Sequence, residues 1–234
     1  MSDFPKTVEE FLAGQIFLID KPIGWTSFDV VKKIKNLIKT KFDVKKIKVG
    51  HAGTLDPLAT GLLIVCTGKY TKRISEIQAQ PKVYTGEIVL GFTTPSYDLE
   101  TEINNEYKTS HITKELIQEA ALLFTGEIDQ TPPLFSALKR NGERLYKKAR
   151  RGETFKIESR KVMIHYFKIT SSIIPKISFK IKCSKGTYIR SIANDIGAAL
   201  NSGGYLSKLC RTSIGIYKLQ DSIDIISFEK QLNS

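Results

Sequence analysis

Alternation between apolar and polar residues predicts several β-strands. A short apolar run extends from Gln15 to Ile19 and ends at Asp20-Lys21-Pro22, which is typical of a strand followed by a turn. The segment from Val83 to Leu90 is rich in β-branched residues and also alternates. A third segment alternates strictly, in the order Lys176, Ile177, Ser178, Phe179, Lys180, Ile181, Lys182 and Cys183. A period of two predicts antiparallel strands with one solvent-exposed face.

Helical spacing occurs in three segments. Thr26-x-x-Asp29 has the form of a capping box, and the residues after it place Val30, Val31, Ile34, Leu37 and Ile38 on one face. A second helix is predicted over Leu116 to Phe124, ending at Gly126, and a third over Ile189 to Leu200, ending near Gly203-Gly204. Because strands and helices do not alternate regularly, the pattern predicts an α+β fold rather than a doubly wound one.

Residues 131 to 160 have a different composition. Pro132-Pro133 leads into a cationic segment that also contains Phe135, Tyr146 and Phe155. Aromatic rings stack on exposed bases while cations bind phosphates, so we interpret the segment as a mobile basic insertion that binds RNA. The candidate contacts to the RNA backbone are Lys139, Arg140, Lys147, Lys148, Arg150 and Arg151. A packed helical hairpin with a charged exterior is the alternative.

The charge of the chain favours a polyanionic partner. Lys and Arg number 36 against 24 acidic residues, giving a net charge of +12. A basic surface without a specific partner explains the charge equally well. No apolar run approaches the ~20 residues of a membrane span, and the polar N-terminus does not resemble a signal peptide. Cys66, Cys183 and Cys210 show no CxxC spacing, so reduced thiols in a cytoplasmic protein are expected.

Several familiar sites are excluded by spacing. Gly61 to Gly68-Lys69 imitates a phosphate loop, but six residues separate its glycines instead of four and Tyr70 replaces the Ser or Thr. The three histidines, His51, His111 and His165, lie too far apart in sequence to suggest a metal site. We therefore expect catalysis, if present, to use neither a metal nor a nucleotide cofactor.

The segment from Gly50 to Gly61 is the densest in chemically useful residues. It reads Gly50-His51-Ala52-Gly53-Thr54-Leu55-Asp56-Pro57-Leu58-Ala59-Thr60-Gly61 and carries one carboxylate between two apolar runs. Loops on rigid scaffolds often carry function. The alternative is a structural turn, because Asp-Pro commonly opens turns in which the carboxylate caps backbone amides.

Four segments in order resemble the signatures of the TruB-type tRNA pseudouridine-55 synthases. Besides the Gly50–Gly61 segment they are Asp20-Lys21-Pro22-x-Gly24-Trp25-Thr26-Ser27, Pro132-Pro133-x-Phe135-Ser136-Ala137-x-Lys139 and Lys185-Gly186-Thr187-Tyr188-Ile189-Arg190-Ser191. The similarity runs from about Gly14 to Leu219. It implies a mixed, largely antiparallel sheet flanked by helices and loops. It also implies an N-terminal extension over residues 1–13 and a catalytic domain over 14–234, in which 131–160 forms a thumb-like insertion.

The resemblance also implies functional roles for individual residues. Asp56 matches the catalytic aspartate, Tyr84 the tyrosine beside the target base, and Arg190 the arginine that pairs with Asp56. Matching positions make His51, Tyr188 and Leu209 contacts to the target site and make Lys21 a supporting residue. The implied substrate is the T-arm stem-loop of tRNA, modified by a monomer through base flipping, without cofactor, metal or membrane.

The chain also departs from the family pattern. In the loop from Thr94 to Thr101, Ser96 replaces a threonine and Thr101 replaces a glycine. Many relatives continue into a C-terminal RNA-binding PUA domain, which we do not expect in a chain that ends at Ser234. A non-catalytic RNA-binding or RNA-folding protein, and a guide-RNA-dependent relative that modifies ribosomal RNA, are the alternative functions.

Overall fold

The computed structural model describes residues 4–136, 138–140, 142–153 and 155–234, and gives only the backbone of Lys139 and Arg140. The chain forms two compact units. The first unit contains the residues up to Tyr84 together with Cys210–Ser234, and the second contains Thr85–Leu209. Strands β4 (Lys82–Leu90) and β12 (Gly204–Ile214) each contain one of the two boundaries, so both strands contribute residues to both units.

The first unit combines helices and strands from both ends of the chain. Besides parts of β4 and β12, it contains two 3₁₀ helices over Gly68–Arg73 and Leu219–Asp221. Its remaining elements are α1 (Val8–Ala13), β1 (Ile16–Lys21), α2 (Ser27–Phe42), β2 (Val49–His51), β3 (Ala59–Thr67), α3 (Ile74–Ala79), β13 (Tyr217–Lys218) and α7 (Ile225–Asn233).

The strand pairing of the first unit holds both ends of the Gly50–Gly61 segment, because its first residues lie in β2, which pairs with β3, and its last residues lie in β3 itself. Strand β1 pairs antiparallel with β3, from Ile16 opposite Cys66 to Lys21 opposite Gly61. Strand β2 also pairs antiparallel with β3, with His51 opposite Val65. In this unit β3 lies between β1 and β12, and β12 lies next to β4. Both ends of the loop between β2 and β3 are therefore continuous with strands of the sheet.

Helices α1 and α2 of the first unit begin at capping boxes and bury apolar side chains. The side chains of Thr26 and Asp29 form the predicted capping box of α2, which buries Val30, Ile34 and Ile38. Helix α1 begins with a capping box of its own and contributes Phe11, which is fully buried in the same core. Residues before Gly14, proposed from the sequence as an extension, thus pack within this unit from Phe4 onward.

The second unit consists of a sheet with helices and an irregular segment. In this unit the strand order is β12–β4–β11–β10–β7. Strands β10 and β11 pair antiparallel with two register shifts, and β10 and β7 also pair antiparallel. The elements that lie wholly in this unit are β5 (Phe92–Thr93), β6 (Asn105–Glu106), α4 (Lys114–Leu123), β7 (Gly126–Gln130), β8 (Lys139–Arg140), β9 (Glu143–Arg144), α5 (Leu145–Arg150), β10 (Arg160–Ile173), β11 (Lys176–Cys183) and α6 (Ile189–Ala199).

The structure confirms the α+β class and the elements predicted from periodicity. The predicted strands correspond to β1, β4 and β11, and the predicted helices to α2, α4 and α6. The predicted end of α4 at Gly126 is wrong, because α4 ends at Leu123 and Gly126, with φ of +98°, begins β7. Gly68 follows strand β3 directly, so the Gly61–Gly68 segment is a strand rather than a phosphate loop.

The cationic segment 131–160 differs from a helical hairpin in its described residues. Strands β8 and β9 pair in a short β-hairpin, and α5 is the single helix among those residues. Its mobility stays a prediction. Within the described ranges of the chain, no helix has both the length and the apolar character needed to cross a bilayer.

Candidate active site

We call the loop between β2 and β3 the aspartate loop (residues 52–58). Ser27 holds this loop through the backbone of Leu55, the residue before Asp56. The Leu55 N–H donates to Ser27 Oγ at 2.8 Å, and the Ser27 hydroxyl donates to the Leu55 carbonyl oxygen at 3.1 Å. Both residues are buried. Ser27 is the first residue of α2, so the capping box that starts the helix also positions this contact. Asp56 itself is partly buried.

Lys21 holds the residue after Asp56. Its fully buried ammonium donates to the carbonyl oxygens of Pro22 at 2.9 Å, Trp25 at 2.6 Å and Pro57 at 3.4 Å. Burial lowers the pKa of Lys21 to about 8; attraction by the Asp56 carboxylate opposes this shift and repulsion from Arg211 adds to it. The predicted supporting role of Lys21 thus has a physical basis in the first unit.

Arg211 also contacts this loop, and the sequence analysis did not select it. The side chain is 1% exposed. Its Nε donates to the Leu62 carbonyl oxygen at 2.8 Å, Nη2 to Gly53 at 3.0 Å and Nη1 to Thr54 at 3.4 Å. The only signal in the sequence was an arginine within a strand whose other residues, apart from the exposed Lys208, are buried or half-buried, and this signal does not reveal the partners of Arg211.

His51 and Tyr84 are the other predicted residues of the first unit. His51 is partly buried at the end of β2, and burial together with the charge of Arg211 lowers the pKa of its imidazole. His51 is therefore neutral at neutral pH. Tyr84 lies in β4 and is 8% exposed.

Arg190 is oriented by three groups of the second unit. It is the second residue of α6 and 3% exposed. Nη1 donates to the Ser96 carbonyl oxygen at 3.0 Å and Nη2 to the Phe135 carbonyl oxygen at 3.0 Å. Nε lies 3.6 Å from Oδ2 of Asp98, which is also buried. The sequence analysis missed Asp98, because this contact spans residues distant in the chain.

The two departures from the family pattern contact each other. Ser96 Oγ and Thr101 Oγ1 lie 2.8 Å apart, the Ser96 N–H donates to Thr101 Oγ1 at 3.0 Å, and the Thr101 N–H donates to Ser96 Oγ at 3.2 Å. Thr94 closes the same loop by donating to the Asp98 carbonyl oxygen at 2.7 Å. These hydrogen bonds stabilise the loop that supplies two of the partners of Arg190.

Tyr188 is held at the start of α6. The amide of Gln130 pairs with both the N–H and the carbonyl oxygen of Tyr188. The Arg160 guanidinium lies 5.0 Å from the centre of the Tyr188 ring and donates to the Gly186 carbonyl oxygen. The ring of Tyr188 stays partly exposed, as does Leu209 in β12.

Comparison with known proteins identifies the family. Residues 36–189 match the TruB family pseudouridylate synthase (N terminal domain). A curated protein of Flavobacterium johnsoniae, named tRNA pseudouridine synthase B, is 58% identical over 97% of this chain and 99% of its own length. This chain belongs to the TruB family. The resemblance drawn from its four motifs is thereby confirmed.

One further curated relative and two solved structures are also similar to this chain. A Phocaeicola vulgatus protein, also named tRNA pseudouridine synthase B, is 51% identical over 95% of each chain. A chain in the crystal structure of a Cbf5-Nop10-Gar1 complex is 27% identical, with a TM-score of 0.71 over 96% of the TruB-family chain. A chain in an H/ACA RNP structure bound to a substrate RNA containing 2′-deoxyuridine is 24% identical, with a TM-score of 0.68. Our chain spans only 56% and 55% of those two chains, respectively.

The cations of the insertion differ in their surroundings. Arg150 forms an ion pair with Glu100 at 2.5 Å, and Arg151 pairs with Glu143 at 2.6 Å and Glu153 at 2.7 Å, which raises the pKa of Arg151. Lys147 and Lys148 form no ion pair with any described carboxylate. The side chains of Lys139 and Arg140 lie outside the described residues.

The predicted site residues of this TruB-family chain fall into two groups. Lys21, His51, Asp56 and Tyr84 lie in the first unit, whereas Tyr188, Arg190 and Leu209 lie in the second. The pairing of Arg190 with Asp56 joins residues of different units and stays a prediction. In the described ranges, no group of three or more His, Cys, Asp and Glu residues is arranged to hold a metal ion.

Proposed function

We propose that this pseudouridylate synthase isomerises the T-arm uridine at position 55 of tRNA, with Asp56 as the essential catalytic residue and without a cofactor. One observation carries the role of Asp56. The backbone on each side of its carboxylate is anchored to buried side chains, Leu55 by Ser27 and Pro57 by Lys21. Such anchoring is more than an Asp-Pro turn needs, and it suits a carboxylate that must meet a reacting atom. Relatives named tRNA pseudouridine synthase B support tRNA as the substrate.

The reaction needs only groups that side chains supply. The C1′–N1 bond of the uridine breaks, the base rotates, and a C1′–C5 bond forms; C5 then loses its proton and N1 ends protonated, with no net oxidation. An ionised carboxylate can start this sequence as a nucleophile or as a base. The ammonium of Lys21 is attracted to the Asp56 carboxylate, and this attraction raises the pKa of Lys21 against the effect of burial.

The remaining roles follow the matching family motifs. We propose that Tyr84 lies beside the flipped base, that His51, Tyr188 and Leu209 contact the target nucleotide, and that Arg190 pairs with Asp56. Extrusion of the base costs a few kcal/mol, which stacking and phosphate contacts recover. The buried partners of Arg190 support a fixed guanidinium orientation. Because its proposed substrate is found there, we also propose that the enzyme acts in the cytoplasm.

One experiment tests the proposal and separates the alternatives. Purified protein is incubated with an unmodified tRNA transcript in the absence of any guide RNA, and pseudouridine is mapped at nucleotide resolution. We expect product at position 55 with the natural chain and none with Asp56→Asn, because the amide keeps the shape of the carboxylate and loses its charge and basicity. Asp221→Asn, which changes an exposed carboxylate of the same unit, serves as the matched control and should retain activity.

Three results would contradict the proposal. Unchanged turnover by Asp56→Asn would remove Asp56 from the chemistry. Tight binding of tRNA by the natural chain without any product would favour a non-catalytic RNA-binding protein. Product that forms only after a guide RNA is added would favour the guide-dependent alternative.

A further inference from the structure

The guanidinium of Arg211 contacts the backbone of the chain both before and after Asp56. Nη2 and Nη1 donate to the carbonyl oxygens of Gly53 and Thr54, at 3.0 and 3.4 Å. Nε donates to the carbonyl oxygen of Leu62 at 2.8 Å. One planar group thus links the first half of the aspartate loop, which contains Gly53 and Thr54, to Leu62 in strand β3. Since a guanidinium has a rigid fork of donors, these three contacts fix relative positions and not only separate distances.

Two glycines of the Gly50–Gly61 motif lie next to Arg211, and at Gly61 the backbones are too close to leave room for a side chain. A Cβ on Gly61 would lie 2.5 Å from the Arg211 carbonyl oxygen, and one on Gly53 would lie 3.6 Å from Nη1. Both glycines have positive φ, +97° at Gly61 and +109° at Gly53, which other residues rarely adopt. Arg211, about 150 positions further along the chain, therefore explains in part why this motif contains glycines.

The charge of Arg211 is buried among backbone carbonyl groups. The side chain is 1% exposed, and it forms no ion pair with the described residues of the chain. Its positive charge acts on neighbouring groups and contributes to the lowered pKa of both Lys21 and His51. A buried, unpaired cation costs free energy, so packing alone does not explain an arginine at this position.

We infer that Arg211 is a positioning residue for Asp56, which fixes the backbone before and after that residue so that the carboxylate stays at the reacting atoms. The inference rests on the proposed catalytic role of Asp56. Lys21 and Ser27 hold the residues next to Asp56, whereas Arg211 holds Gly53 near the start of the loop and Leu62 in the strand that follows it. Arg211 does not itself touch the substrate in this role.

The test compares chemistry with tRNA affinity in two substitutions of Arg211. Arg211→Met keeps much of the length and loses all three donor contacts, and Arg211→Lys keeps the charge with a single donor head. A misplacement of about 1 Å costs roughly 100-fold in rate, so we expect Arg211→Met to lower the single-turnover rate by about 10- to 100-fold. The single-turnover rate of Arg211→Lys should lie between that of Arg211→Met and that of the natural chain. The dissociation constant for tRNA should stay within about threefold of its natural value, because no phosphate or base contact is lost.

Lys82→Met is the matched control for a purely structural effect. Lys82 is 5% exposed and donates to the carbonyl oxygens of Gln78 at 2.5 Å and Gln80 at 2.6 Å. Like Arg211, it is thus a buried cation of the first unit that holds backbone carbonyls, but in a segment without Asp56. Its removal should lower the Tm while the single-turnover rate stays within about threefold of the natural value.

The outcomes separate the inference from its assumptions. Equal rate losses in Arg211→Met and Lys82→Met would overturn it, as would a loss of tRNA affinity that accounts for the whole effect of Arg211→Met. If Arg211→Met fails to fold, Arg211→Lys decides: a reduced rate at unchanged affinity supports the inference, and a natural rate refutes it. Product formation by Asp56→Asn, measured in parallel, would show instead that the proposed function is at fault.

Discussion

Gln130 and Tyr188 exchange two hydrogen bonds within the second unit. The Tyr188 N–H donates to Gln130 Oε1 at 2.7 Å, and Gln130 Nε2 donates to the Tyr188 carbonyl oxygen at 3.0 Å. The Ser191 hydroxyl adds a third bond, to the carbonyl oxygen of Thr131 at 2.8 Å. The end of β7 and the first turn of α6 are therefore tied together. Since Arg190 lies in that turn, the start of the basic insertion and the orientation of Arg190 depend on the same contacts.

Removal of the Gln130 amide should destabilise the protein and slow the reaction. Gln130 is 1% exposed, so Gln130→Leu would leave the Tyr188 N–H unsatisfied, at about 1–3 kcal/mol. The Tyr188 carbonyl oxygen would lose one of two donors and keep the Ile192 N–H at 3.3 Å. For a chain of this size, each kcal/mol lowers the Tm by roughly 2–4 °C. Gln130→Glu keeps the acceptor for the Tyr188 N–H, so this variant should lose less stability and less activity than Gln130→Leu. Thermal unfolding and single-turnover assays check this, and a Gln130→Leu protein with natural Tm and rate would refute it.

Lys21 should make stability and activity change in opposite directions above pH 8. Its pKa is about 8 in the folded protein and lies below the ordinary value of 10.5 because of burial. Between these two values the unfolded chain binds more protons than the folded one, so the contribution of Lys21 to stability rises with pH. The same proton loss removes a positive charge that is attracted to the Asp56 carboxylate and weakens the hold of Lys21 on the Pro57 carbonyl oxygen. We expect the single-turnover rate to fall by about three- to tenfold as Lys21 loses its charge.

Lys21→Arg supplies the control for this pH dependence. Arginine keeps its charge throughout this range, so the inflection near pH 8 should disappear from the rate profile. Ionisation of the RNA affects both proteins equally, and the comparison therefore isolates the side chain. An identical inflection in both proteins would assign it to another group.

Lys147 and Lys148 should bind RNA phosphates more effectively than Arg150 and Arg151. The two arginines form ion pairs with carboxylates of the chain, whereas the two lysines form none with the described carboxylates. Replacement of both lysines by Gln should weaken tRNA binding. Each lost phosphate contact should flatten the log-log salt dependence by roughly 0.7 to 0.9. The rate at saturating tRNA should change much less than the affinity.

Lys168→Gln with Lys180→Gln is the matched control for the lysine prediction. These two exposed lysines lie opposite each other on β10 and β11, so the control removes the same charge from the same unit. Titrations at several salt concentrations measure both slopes. Equal slopes for the two double variants would mean that net charge, and not the insertion, governs binding.

Local features of this protein could be predicted from the sequence, because they depend on neighbouring residues. The capping box at Thr26 and Asp29 and the alternation in β11 act over two to four residues, and both appear in the structure as expected. The motif around Asp56 indicated the family for a similar reason, since its residues are contiguous and their order is specific. The predicted end of α4 at Gly126 failed because the same positive φ also suits a residue that begins a strand.

The supports of the candidate site were decided only by the tertiary structure. Gly53 and Arg211 are separated by 158 positions, Gln130 and Tyr188 by 58, and Arg190 and Ser96 by 94. No period of two or 3.6 residues relates such positions, and the energetic reason for each contact, a buried carbonyl or amide that needs a partner, arises only after the chain has folded. The sequence alone therefore determined which carboxylate is the candidate catalyst, while the fold determined which buried side chains hold the two units' site residues in place.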